Sequence, residues 1–208
     1  MILFLATAGP GIIVALSFHE FCHAYVAYRF GDLTAARMGR LTLNPLRHLD
    51  PIGTLLIFVA GFGWAKPVPV NPGNLQRPRQ DMLWIAAAGP GSNFLLALLS
   101  GILFQVVLLT QGGEGNFLSR ALLYSVYINL ILAFFNLIPL VPLDGASILK
   151  GIMNNQQAAL WSRVERFGPI LLIALVFSGQ LFGFSLLGSI LGPPVGFFLE
   201  IFTGGKGA

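Results

Sequence analysis

The chain has 208 residues, of which 55% are hydrophobic and 10% charged, with a formal net charge of +4 and a mean hydropathy of +0.78. Soluble domains carry about a quarter charged residues, and a sphere of this size has no interior large enough for so much apolar side chain. A water-soluble globular protein and a disordered chain are therefore both excluded. The length suits one domain over 1–208, and several bilayer spans of about 20 apolar residues each would absorb the hydrophobic surface.

In chain order, the first apolar run covers 2–28 and opens on MILFLATAGPGIIVALSF. It lacks the basic residues that begin a signal peptide and is expected to be a mature span. A polar stretch from Arg29 to Asp81 follows, interrupted by a short apolar piece at 52–63. A helix of that length reaches only about 18 Å, well short of the roughly 30 Å hydrocarbon core, which predicts a re-entrant segment. The following AKPVPVNP, residues 65–72, alternates small apolar residues with prolines and suits an extended edge strand. Two further spans are expected at 82–110 and 117–140. The run at 166–203 is long enough for two passes with a break near Gly179 to Ser185, or for one that Pro193 and Pro194 end. The fold class is thus an all-α polytopic membrane protein with about five transmembrane helices, a re-entrant segment and a short membrane-associated β element.

The basic residues sit in short connections between apolar runs, which points to membrane topology rather than to nucleic acid. If 52–63 does not cross, 11 of the 12 Lys and Arg residues fall on one side and only Arg120 on the other. If it crosses, they divide almost evenly. The asymmetry favours an outside amino terminus and a cytoplasmic polar loop.

Within the first run lies His19-Glu20-Phe21-Cys22-His23, an H-E-x-x-H pattern. On a helix the two imidazoles stand about 40° apart on one face and about 6 Å apart along the axis, so both reach one ion, with Glu20 beside them. Ionisable groups inside a span are costly unless paired, so this cluster needs a function. Cys22, the only cysteine, diverges from the pair and is read as a packing residue; no disulfide or all-cysteine metal site exists. Tetrahedral zinc requires a third protein ligand, from Asp32, His48, Asp50, Asp81, Glu114, Asp144, Glu165 or Glu200. Depth and direction select Asp144: with 52–63 re-entrant, two crossings bring it back to the face where His19 and His23 lie. Pro139 and Pro142 break the helix just before it, and Gly145 permits close approach.

HEFCH together with NLIPLVPLDG closely resembles the site-2 protease family of intramembrane zinc metalloproteases, and Gly89-Pro90-Gly91-Ser92-Asn93 resembles a third, small-residue element of that family. The resemblance covers about residues 15–150. It implies zinc held by His19, His23 and Asp144, Glu20 as acid/base, and Asn136 near the metal to position substrate or stabilise the oxyanion. Asn93 would either donate to the oxyanion or join helices. A strand at 65–72 would hold an extended transmembrane substrate beside Val68 and Val70. The expected partners are transmembrane protein or peptide substrates and the lipid bilayer, not nucleic acid. The expected location is a prokaryotic inner or plasma membrane, with the active site nearer the cytoplasmic face. The chain opens with the H-E-x-x-H helix and has no stretch long enough for a PDZ or nucleotide-sensing domain, so substrate selection is expected to depend on the membrane part or on other proteins. Two other readings remain at this level: a metal or proton transporter, since buried His, Glu and Asp also mark ion pathways, and an inactive homologue that presents membrane helices.

Overall fold

In the computed structural model, residues 2–53, 65–111 and 116–206 are described. Most of the expected re-entrant piece at 52–63 lies outside them, as does Glu114. Helix α1 (Ile2–Arg29) carries Pro10 within it. A short α2 (Thr34–Arg37) follows, and then an extended strap leads from Ala65 to Asn71. Helix α3 (Pro78–Gln111) starts on a proline, whose missing N–H costs nothing in a first turn. Asp81 in that turn accepts the Arg77 N–H at 2.9 Å. Helix α4 (Phe117–Asn136) is capped by Asn116, which accepts the Ser119 N–H at 2.7 Å. It stops four residues short of the expected 140, because Pro139 has no N–H to continue the ladder and its ring would collide with the preceding turn.

Past that break come α5 (Asp144–Ile152), α6 (Asn155–Val164), α7 (Gly168–Val176), α8 (Ser178–Phe182) and α9 (Leu186–Thr203). The apolar run at 166–203 thus divides at Gly183, whose φ of 77° is open to glycine at little cost. Nine residues of α7 rise only about 14 Å, so by itself it is too short to cross. Pro193 and Pro194, expected to be able to end a helix here, lie inside α9.

Among the described residues three helical stretches are long and apolar enough to cross a membrane: Pro78–Thr110, Phe117–Asn136 and Leu186–Thr203. Most of their large exposed side chains are apolar: Leu95, Leu98, Leu99, Ile102, Leu103, Val106 and Leu109 project outward from α3. The inside of the bundle carries small and polar groups instead, including Ala8, Ala15, Ser17 and Ala24 of α1, Asn93 and Ala97 of α3, and Asn129 and Ala133 of α4. Apolar outside and small or polar inside is the pattern of helices packed in lipid, where close backbone approach and interhelical hydrogen bonds replace hydrophobic burial. The protein is an integral membrane protein.

Helix α3 lies at the centre, packed on α1, α4 and α5, while α9 closes over α3 and α4. A Cβ on Gly101 would lie 2.7 Å from the Phe202 carbonyl oxygen, so α9 sits almost backbone to backbone on α3. Around this contact Phe94, Phe134, Phe198 and Phe202 form an aromatic cluster with ring centroids 4.8 to 6.4 Å apart. The end of α1, the start of α3 and the end of α4 meet at one end of the bundle, where Ala27 of α1 packs with Leu75 and Ile85. Residues 30–77 therefore leave and rejoin the bundle at the same end.

The expected β element reduces to one antiparallel bridge, Leu49 with Ala65, and no strand forms among the described residues. Pro67, Pro69 and Pro72 remove three amide donors from eight residues, which prevents a ladder from propagating. The strap is anchored at its far end by Asp32. One carboxylate oxygen accepts from the Thr34 hydroxyl at 2.6 Å and the Asn74 amide at 2.8 Å; the other accepts the Asn71 N–H at 2.7 Å. Burial opposes the charge on Asp32, but these donors outweigh it and hold the carboxyl below the usual aspartate range. A depressed folded-state pKa stabilises the fold above the unfolded value of about 3.9, and that contribution is lost as pH falls through the folded value. The expected result is a melting temperature that drops on acidification below about pH 4, with a flatter dependence in Asp32→Asn, read from thermal unfolding in detergent.

Candidate metal centre

The last third of α1 turns His19 and His23 toward α3 and α5. The Nε2 atoms of the two histidines are 2.9 Å apart and lie 3.2 and 3.3 Å from Asp144 Oδ2. Among the described residues this is the one group of three His, Cys, Asp or Glu side chains whose donor atoms converge in this way. Of the other candidates, Glu200 is exposed on α9 and outside the group, and several are engaged elsewhere. His48 Nε2 meets the Thr42 carbonyl, Asp50 accepts from Ile52 and Gly53, Asp81 pairs with Arg77, and Glu165 pairs with Lys150. Cys22 is half-buried and outside the group.

Hydrogen bonding assigns the tautomers. Asn129 donates from Nδ2 to the Ser125 carbonyl at 2.9 Å, so its Oδ1 faces Asn93 and accepts from Asn93 Nδ2 at 2.9 Å. Asn93 Nδ2 also donates to the Ala15 carbonyl at 3.1 Å, which leaves its Oδ1 for His19 Nδ1 at 2.6 Å. His19 must therefore carry its proton on Nδ1. His23 Nδ1 meets the Ile85 carbonyl at 2.6 Å and carries its proton there for the same reason. In the neutral imidazoles both Nε2 atoms then aim lone pairs at one point, and Asp144 Oδ2, buried and without a hydrogen-bond partner, adds a third. Three converging lone pairs repel one another unless a cation sits among them. Tetrahedral zinc at 2.0 to 2.1 Å from its ligands sets donors about 3.3 Å apart, which this triangle matches. Both histidines donate their second ring nitrogen to a carbonyl oxygen, the support that metal-binding imidazoles normally have.

The sequence motif left the role of Asn93 open between the oxyanion and helix joining. The residue is fully buried and its amide is committed to His19, Ala15 and Asn129, so it stands behind the histidine rather than at the cleft. Gly89 explains the small-residue motif further: a Cβ there would lie 2.6 Å from His19 Cε1 and against His23 Nε2. Only a glycine lets α3 back directly onto both imidazoles.

A cavity of about 670 Å³ opens in front of the cluster. Its walls include Val68 and Val70 of the strap, Asn136 at the end of α4, and Pro169, Leu172, Ile173 and Val176 of α7. The last four recur at the helical period, so α7 presents one apolar face to the cleft. Sequence patterning read α7 as membrane span alone and offered no signal for this wall. Asn136 is half-buried and donates from Nδ2 to the Leu132 carbonyl at 2.9 Å. Glu20 lines the same cavity, and its Oε2 accepts the Val68 backbone N–H at 3.2 Å. Asp144 is the first residue of α5 and follows Leu143, which supplies no side-chain cap. Gly145 beside it sits where any Cβ would strike the Leu137 and Ile138 carbonyls, so the turn that delivers the carboxylate requires glycine.

The Peptidase family M50 model matches residues 111–179, which include α4, NLIPLVPLDG and α7. The protein named "Putative zinc metalloprotease YwhC" of Bacillus subtilis is 43% identical over 169 residues, 79% of this chain and 77% of that one. "Putative zinc metalloprotease Rip2" of Mycolicibacterium smegmatis is 27% identical over 176 residues, covering 82% and 66%. "Zinc metalloprotease MJ0392" of Methanocaldococcus jannaschii is 26% identical over 173 residues, covering 82% of this chain and 42% of its own length. No solved structure matches the chain. The extent and identity of the match to the Bacillus protein place this chain in peptidase family M50, the site-2 protease family of zinc metalloproteases.

Proposed function

We infer that the protein is an intramembrane zinc metalloprotease that hydrolyses peptide bonds within or near transmembrane segments of other membrane proteins. The carrying observation is the convergence of three donor atoms from His19, His23 and Asp144 beside Glu20, at the wall of an apolar cleft. Those three residues hold the zinc, whose contribution when bound is to polarise a peptide carbonyl and to lower the pKa of water toward about 7.

The chain's own groups do the rest. Glu20 takes the proton from the attacking water and delivers it to the leaving amine. Asn136, at the cleft wall, donates to the carbonyl oxygen as negative charge develops there; one such donor is typically worth about 3 kcal/mol. The Asn93 and Ile85 carbonyl oxygens keep His19 and His23 in the metal-binding tautomer. The substrate lies extended between the strap and α7, against Val68 and Val70 on one side and Leu172 and Val176 on the other. A peptide leaving a helix loses its internal hydrogen bonds, and the strap backbone offers replacements.

The bundle supports a particular membrane arrangement. Together with α1, the three apolar stretches give four helical passes, α7 being too short to add a fifth by itself, and a prokaryotic plasma membrane is proposed. Residues 30–77 leave and return at the end that carries the metal donors, which supports a non-crossing polar loop. The basic residues of that loop favour a cytoplasmic position for this end. A transporter would place its ligands along a path open in turn to both faces, whereas here they cluster at one end with a base beside them.

Reconstituted protein should cleave a model single-span substrate in lipid vesicles. Chelation by 1,10-phenanthroline should abolish cleavage, and added zinc should restore it. Chelator-resistant cleavage, or zinc flux in sealed vesicles without cleavage, would overturn the assignment.

A further inference from the structure

Arg40 is the least expected charged residue in the structure: 4% exposed, beyond α2, and far in sequence from the donor cluster. Its guanidinium donates from Nη2 to the carbonyl of Lys66 and, at 3.4 Å, to that of Pro67. Burial disfavours its charge, and the nearby Glu20 carboxylate acts in the opposite direction. Its backbone is tied by an N–H bond to the Ala35 carbonyl at 2.8 Å. A buried arginine without a carboxylate partner is costly, so its place on two strap carbonyls requires a reason.

The strap supplies one. Lys66 N–H is held by the His48 carbonyl at 2.8 Å, and Pro67 and Pro69 have no N–H. From Pro67 to Pro69 the backbone therefore offers a single donor, Val68 N–H, and that donor is on Glu20 Oε2. Arg40 grips the strap one and two residues before this amide, and Asp32 grips it three residues after, at Asn71. A chain fixed on both sides and stiffened by prolines holds the Val68 amide at a set height above Glu20.

We propose that Arg40 is a positioning residue for the proteolytic reaction, holding the Lys66–Val68 strap so that the Val68 amide orients the Glu20 carboxylate. The strap is then a carboxylate clamp as well as a cleft wall, and its prolines reserve the Val68 donor for Glu20. A peptide substrate must take its pairing from other strap groups. The proposal rests on the protease reading above, since a held carboxylate matters only where Glu20 transfers protons.

The test compares wild type, Arg40→Lys and Arg40→Ala of the full chain in vesicles, measuring kcat and KM on a model transmembrane substrate and zinc content by elemental analysis. Arg40→Ala should lower kcat at least tenfold with KM within about twofold and zinc stoichiometric, and Arg40→Lys, which keeps a donor to the carbonyls, should recover a substantial part. An unchanged kcat, a rise confined to KM, or zinc lost in parallel with activity would each overturn the proposal. Hydrogen exchange provides a second readout that needs no folded Arg40 variant and no activity. In a peptide over 67–70 only Val68 and Val70 carry amides, and Glu20→Ala should accelerate one of them. Equal exchange in wild type and Glu20→Ala would refute the clamp, whereas wild type that never cleaves but shows the exchange difference would sink the protease reading alone.

Discussion

Glu20→Gln is expected to leave zinc bound at one ion per chain and to reduce cleavage of a transmembrane substrate by about 10²- to 10⁴-fold, the range that a general base contributes. None of the three converging donors belongs to Glu20, so the ion has no reason to leave. An amide of the same size keeps an oxygen for the Val68 N–H and fills the same space, but it has no lone pair basic enough to accept a proton from water. Elemental analysis and single-turnover cleavage on one preparation separate the two effects. Loss of zinc in the variant would show that Glu20 helps to hold the metal, and undiminished cleavage would remove it from the mechanism.

Gly89→Ala is expected to lower zinc affinity about 10- to 100-fold while the helix bundle stays folded. A methyl group there needs space now occupied by both imidazoles, so it must push His19 and His23 off the point at which they meet Asp144. Shifts of about 1 Å separate a tetrahedral site from a loose one. Gly91 provides the control, because a Cβ there meets nothing within 4 Å and alanine is the better helix former. Gly91→Ala should bind zinc as wild type does and melt no lower. Competition with a chromophoric zinc chelator gives the affinities; equal affinity in the two variants would show that the backing of the histidines by α3 is not what aligns them.

The same pair of glycines shows how differently sequence and structure inform about this protein. HEFCH states its own geometry, because helical periodicity alone puts His19 and His23 on one face, and the cost of burying them in a span demands an ion. NLIPLVPLDG is nearly as explicit: two prolines must end a helix, and an aspartate follows. Hydropathy likewise separates the apolar runs of α3 and α4, since a long apolar run has few ways to exist outside lipid. Each of these is a local property, carried by residues a turn or two apart.

What local pattern left undecided depends on which helix faces which. Asn93 is an asparagine in a small-residue span whether it serves the oxyanion or His19; only the packing of α1, α3 and α4 commits its amide to one directed chain. The 65–72 strap looks like an edge strand by composition, yet strand formation depends on free donors and acceptors, and the prolines and Glu20 remove donors while Arg40 occupies carbonyls. The α7 wall was invisible because an all-apolar helix carries no periodic signal of the side it turns to a cleft. The residues of H-E-x-x-H and the existence of the apolar runs were thus determined by the amino-acid sequence itself, through backbone periodicity and the cost of charge in hydrocarbon. The directions of Asn93, Val68, Arg40 and α7 were decided only by tertiary structure, because hydrogen bonds and close contacts between distant segments depend on relative placement that no single segment encodes.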